Sequence, residues 1–175
     1  MTEARLVETE GGWLEPEGEG WYVLNAQDAK WLSNDMGWYC NFEGAKRFPE
    51  FGLNLNRLPP GAPMAIYHHE PHQEGFLVLD GEALLVIEGE EHPLKPWDYV
   101  HVPPDVPHVV IGAGDGALVL AVGARAPGMR ATYPVDAVAL EHGAGVETET
   151  NDARDTYAKF GPPVASTYPG KLLPK

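Results

Sequence analysis

A single cysteine, Cys40, in 175 residues excludes any intrachain disulfide. Cationic side chains are also scarce. Twelve Lys and Arg stand against 26 Asp and Glu, a formal charge of −14. A surface so acidic repels phosphate backbones, so nucleic acid is not an expected partner, and the bland reading of the charge is solubility. No window approaches the roughly 18 consecutive apolar residues of a membrane helix. Residues 1–20 have neither a basic n-region nor an apolar h-region, so no membrane association and a cytoplasmic location are expected. Repeats, low-complexity tracts and like-charge blocks are missing too.

Turn formers are abundant. The 17 prolines and 20 glycines fall between short apolar runs, which favours a turn-rich β fold over a helical bundle. One domain spanning 1–175 is expected, with a barrel core at about 51–125, an N-terminal arm at 1–50 and a C-terminal arm at 126–175. Residues 1–20 read as a loose arm, Trp21 to Leu24 as a short strand, and Trp38 to Phe42 as an aromatic run. Phe51, Leu53 and Leu55 alternate with Gly52, Asn54 and Asn56, the period of a half-buried strand. Further strands are expected at Pro63 to His69, Phe76 to Leu79, Ala83 to Ile87, Tyr99 to Val102, Val109 to Ile111 and Ala117 to Val122. Asp80-Gly81 between two apolar runs reads as a hairpin turn, and Gly112 to Gly116 as another break. Asp136 to Leu140 and Asn151 to Phe160 read as short helices of the C-terminal arm, with Asn151 as the second helix's cap. Short strands at this spacing describe an antiparallel sandwich or barrel.

Histidine is clustered. Residues 67–74, YHHEPHQE, hold three imidazoles and two carboxylates, and His92, His101 and His108 follow. Imidazole nitrogen with carboxylate oxygen is a donor mixture for first-row divalent metals. On a strand, residues i and i+2 share a face, so ligands one residue apart can enter one cavity, while others must come from paired strands. The cluster is also compatible with a solvated loop edge. His92, beside Glu90 and Glu91, reads as a surface residue. If Val100 and Val102 face the core, His101 points outward. Cys40, among aromatics, reads as a small buried hydrophobe.

The same stretch resembles the two motifs of the cupin superfamily: Gly, about five residues, His-x-His, three or four residues, Glu, six residues, Gly; then Pro-x-Gly-x-x-His. Glu74 and Gly81 fit the end of the first, and Pro103 to His108 fit the second with Asp105 in place of Gly. The window also resembles an uncharacterised bacterial cupin-2 subgroup reading Tyr-His-x-Glu-x-x-Gln-Glu. The resemblance implies an all-β double-stranded β-helix (jelly-roll barrel) with terminal arms, holding one divalent ion of iron, manganese, nickel or zinc. The His-x-His is where this chain departs. Either His68 and Glu70 occupy its two positions, giving the ligand set His68, Glu70, Glu74 and His108, or Tyr67 and His69 do, which puts a weakly coordinating phenol in the cavity. Donor chemistry favours the first register. A cupin that has lost its metal, one His having become Glu, stands as a third possibility.

The resemblance implies a small-molecule ligand in the barrel and a metal-dependent enzyme of the dioxygenase or isomerase type, in which Glu70 is both ligand and candidate catalytic base. A non-catalytic small-ligand module, for sensing or storage, is the alternative. Homodimerisation through the terminal arms is the family-level expectation.

Overall fold

The computed structural model describes residues 2–170. Its strands are β1 (Arg5–Glu8), β2 (Leu14–Glu17), β3 (Trp31–Asn34), β4 (Gly37–Cys40), β5 (Phe51–Leu58), β6 (Glu74–Ile87), β7 (Glu90–Leu94), β8 (Tyr99–Val102), β9 (His108–Ala124) and β10 (Val164–Ser166). Two short helices, α1 (Ala137–Glu141) and α2 (Ala153–Tyr157), lie in the C-terminal part, and α2 runs into a 3-10 turn at Ala158–Phe160. β1 and β2 form a separate hairpin. The main sheet runs β10-β3-β4-β5-β9-β6-β7, with β8 pairing to β6, and every ladder is antiparallel. This is the all-β jelly roll.

Two long strands make the barrel close. β6 and β9 pair from Glu74↔Gly123 to Ile87↔His108, and their register shifts twice, between Val78 and Asp80 and between Gly81 and Glu82. Asp80-Gly81 is therefore not a hairpin turn, and Gly112 to Gly116 does not end a strand. The two glycine-rich breaks lie opposite each other in one continuous ladder and form a bulged bend. Gly81, Gly114 and Gly116 all have positive φ there, and a Cβ on Gly81 would lie 2.1 Å from the Gly116 carbonyl oxygen. The bend lets both strands leave one layer and enter the other. The tight hairpin sits further on, at Glu88-Gly89 between β6 and β7, where both residues adopt φ near +50 to +80 (49° and 79°).

Other expectations shift. Pro63 to His69 forms only isolated bridges, Pro63↔Ile111, His68↔His108 and His69↔Thr132, and Pro63 has no amide to give to a ladder. Trp21 to Leu24 is not a strand; Trp21 makes a single bridge to Glu3. Arg5 to Glu17, expected to be part of a loose arm, forms the β1–β2 hairpin. Asp152, not Asn151, caps α2, accepting from the Arg154 amide; Asn151 instead donates to Ala131 O and Thr132 Oγ1. Asp136 caps α1 as expected, accepting from the Ala139 amide.

The barrel core gathers Leu58, Phe76, Val78, Leu85, Val102 and Val119 from four strands. Outside β5 a second layer forms around Trp31, Cys40 and Leu55. Leu55 thus faces outward onto the arm, and Asn54, Asn56 and Leu58 face the barrel interior. The alternation in β5 is real, but its polar side is the inner one. A third cluster, with Tyr67, Val86, Val109, Ile111, Ala139 and Ala144, ties α1 to the barrel.

Candidate metal centre

Two histidines meet because their backbones pair. His68 N donates to His108 O at 3.1 Å and His108 N to His68 O at 2.9 Å, so the two residues lie directly opposite on one face. Their ring centroids are 5.2 Å apart. This pairing decides the register: His68 enters the cavity, and Tyr67 turns into the cluster around α1, its amide donating to Ala144 O. His69 pairs with Thr132 and lies 3.5 Å from the Asp105 carboxylate through Nδ1.

Each imidazole is oriented the same way. His68 Nδ1 lies 2.7 Å from Ile66 O and His108 Nδ1 3.0 Å from Val106 O. A carbonyl can only accept, so each ring donates from Nδ1, and Nε2 is the ring nitrogen turned to the cavity. Glu74 opens β6, paired with Val102 of β8 on one side and Gly123 of β9 on the other. Its Oε2 lies 3.3 Å from His108 Nε2 and 3.9 Å from His68 Nε2. Phe76 and Val78 continue the inner face of β6 as a dry wall, with the Phe76 ring 5.3 Å from that of His108.

The ligand atoms of His68, Glu74 and His108 all lie within 4.8 Å of one another. An ion with nitrogen and oxygen ligands at about 2.0–2.2 Å draws such atoms to roughly 3–4 Å apart, so little movement completes the site. The His108 side chain is 2% exposed and its Nε2 has no hydrogen-bond partner. Lone pairs converging on a carboxylate repel one another unless a cation lies between them, so the three residues fit a metal ion.

Glu70 lies outside that trio. It lines an open cavity of about 190 Å³ together with Glu74, Asn54, Gly123, Arg125 and Met129. Burial, and then the Glu74 charge, raise its carboxyl above the usual range, partly offset by His108. Burial and then the His108 charge hold the His68 imidazole below its ordinary value, against the opposing pull of Glu74. Asp105 occupies the glycine position of the second motif with φ 62°, a left-handed conformation that aspartate tolerates. Its amide donates to Glu70 O, which joins the His108 loop to the strip carrying His68. Two further histidines sit apart: His101 and His92 are exposed on β8 and β7. Cys40 is buried and burial raises its thiol.

Three neighbours escaped the sequence reading. Asn54 looked like the solvent side of an alternating strand. Arg125, which lines the Glu70 cavity, donates to both oxygens of buried Glu43 and to Phe48 O. Tyr133 comes from the distant C-terminal arm, its ring centroid 5.9 Å from that of His68. No local signal marks either of the last two.

Fold and trio together define a jelly-roll protein with a two-histidine, one-carboxylate cluster in its barrel, and the chain belongs to the cupin superfamily. The cupin domain family matches residues 54–123. A solved sugar phosphate isomerase of the cupin superfamily from Silicibacter pomeroyi DSS-3 is 30% identical, with a TM-score of 0.51, over 64% of this chain and 74% of that one. Among curated proteins, the chain is 36% identical over 50 residues to quercetin 2,3-dioxygenase of Bacillus subtilis, and 26% identical over 58 residues to an uncharacterised protein of Methanocaldococcus jannaschii. These matches take in 29% and 33% of this chain. The chain spans less than half the length of these curated relatives, 15% of the first and 46% of the second.

Proposed function

We propose that this chain is a metal-dependent cupin enzyme acting on a small organic molecule, in a reaction of the dioxygenase or isomerase type. The observation that carries the reading is the buried, unpartnered His108 Nε2 facing Glu74 and His68. His68, Glu74 and His108 would hold one divalent ion of iron, manganese, nickel or zinc, a borderline donor set suited to all four. When bound, such an ion polarises an oxygen of the substrate or offers open positions to a second reactant.

The chain's own residues supply the rest. Nδ1–H bonds to Ile66 O and Val106 O fix both imidazoles in the ligating tautomer. Phe76 and Val78 keep water from one side of the site. Glu70, on the open side, is a fourth donor that can swing away and take a proton from substrate. Its raised carboxyl suits a general base better than an ordinary glutamate does. The sugar phosphate isomerase relative supports an isomerase type, and the quercetin 2,3-dioxygenase segment supports an oxygenase type.

Elemental analysis of protein purified without chelators tests the site. One equivalent of metal is expected in the wild type and a background level in His108→Ala. Metal retained in that variant would overturn the assignment.

A further inference from the structure

Among the described residues three buried side-chain atoms have no hydrogen-bond partner: His108 Nε2, His69 Nδ1 and Asn56 Nδ2. The first belongs to the metal trio, and the second has the Asp105 carboxylate 3.5 Å away. Asn56 has no such explanation. It is 8% exposed, sits on the inner face of β5 and leaves an amide donor unmet in the interior, a destabilising arrangement.

Asn56 also lines a cavity of about 220 Å³, far more than the roughly 10–15 Å³ that one water needs. The other walls are mostly apolar: Met36, Trp38, Leu58, Met64 and the ring of Tyr157. They come from the β3–β4 turn, β4, β5, the strip before the metal motif and α2, so the cavity exists only where the C-terminal arm closes against the barrel. The Tyr157 hydroxyl is occupied elsewhere, accepting from the Ile66 amide and sharing a hydrogen bond with Tyr133. Water filling this space would find few partners, whereas an apolar body with one acceptor would satisfy the site.

We propose that this cavity is a binding site for a small, flat, largely apolar molecule bearing one carbonyl or phenolic oxygen, which accepts a hydrogen bond from Asn56 Nδ2. Two methionines are suited to such a ligand because their thioethers adapt to a ring face. An apolar pocket with a few polar groups, here Asn56 together with Asn34 and Tyr39, is the usual composition of a small-molecule site. It is separate from the Glu70 cavity, although Asn54 and Asn56 are two residues apart on one strand face, about 7 Å. The Tyr133 ring lies 6.0 Å from Tyr157 and 5.9 Å from His68, so the arm that closes this site also touches the metal centre.

Acetophenone and its carbonyl-free counterpart ethylbenzene are suitable probes, titrated into the full chain with NMR observation. The Asn56 side-chain NH₂ resonances, identified by their loss in Asn56→Leu, and the methyl groups of Met36 and Met64 report binding. Acetophenone is expected to shift all of these saturably. Asn56→Leu is expected to weaken acetophenone about tenfold while leaving ethylbenzene unchanged or tighter, one hydrogen bond being worth about 1.4 kcal/mol. Unmoved wild-type resonances at millimolar acetophenone would overturn the proposal, as would equal binding by wild type and Asn56→Leu. The wild-type shifts keep the test valid even if the variant fails to fold. His108→Ala is expected to keep acetophenone binding, so a failure of the metal reading leaves this result intact.

Discussion

At the scale of single residues, parity and tautomer assemble the candidate metal trio. His68 and His108 oppose each other in a hydrogen-bonded pair, and each spends its Nδ1 proton on a carbonyl two residues back. The same burial that prepares His68 for a metal opposes its protonation. In metal-stripped protein its folded value is depressed, so below about pH 6.5 the unfolded chain binds the proton and the folded one does not. Stability therefore falls as pH drops below that value, and keeps falling until the folded ring is protonated. Thermal melting of chelated protein at about pH 7.5 and pH 5.5 should show a larger loss in wild type than in His68→Gln, whose side chain does not titrate. An equal loss in both would mean that His68 titrates as an exposed ring does.

At the scale of elements, the bend in the β6–β9 ladder is the structural decision on which the site depends. It lets one strand carry Glu74 at one end and Ile87, the partner of His108, at the other, so that Glu74 and His108 can meet. Gly81 is fixed at φ 76° against the Gly116 carbonyl, whereas Gly61, with φ 74°, has open space around it. Alanine at Gly61 is expected to cost about 1–2 kcal/mol, the ordinary left-handed penalty. Alanine at Gly81 should cost more than that, because backbone must also move. Urea denaturation of the two variants measures the difference, and equal costs would mean that the bend relaxes freely. Asp80-Gly81 has the composition of a hairpin turn, and nothing local distinguishes it from a bulge; the partner strand's own break at Gly112–Gly116 makes the choice.

Across the whole molecule, the terminal segments hold the barrel from both sides. Arg125, at the exit of β9, lines the Glu70 cavity and donates to Glu43 and Phe48 in the N-terminal part. The Glu43 side chain is 2% exposed, so Arg125→Met strands a buried carboxylate, and a loss of about 3 kcal/mol or more is expected. Glu43→Leu combined with Arg125→Met should recover most of it. Chemical denaturation of the single and double variants checks both statements.

The sequence by itself determined the fold class and marked Glu74 and His108 as candidate ligands. Strand spacing, Pro and Gly punctuation and the local intervals Glu74 to Gly81 and Pro103 to His108 are properties of contiguous chain, and they survive folding unchanged. Only the tertiary structure decided which histidine faces inward, and that Asn54 and Asn56 face in while Leu55 faces out. It also placed Glu70 beside the trio instead of within it. The physical reason is that side-chain parity on a strand reverses with a one-residue change of register. That register is set by pairing with residues forty or more positions away, as in His68↔His108, and by a C-terminal arm whose contacts no local pattern records.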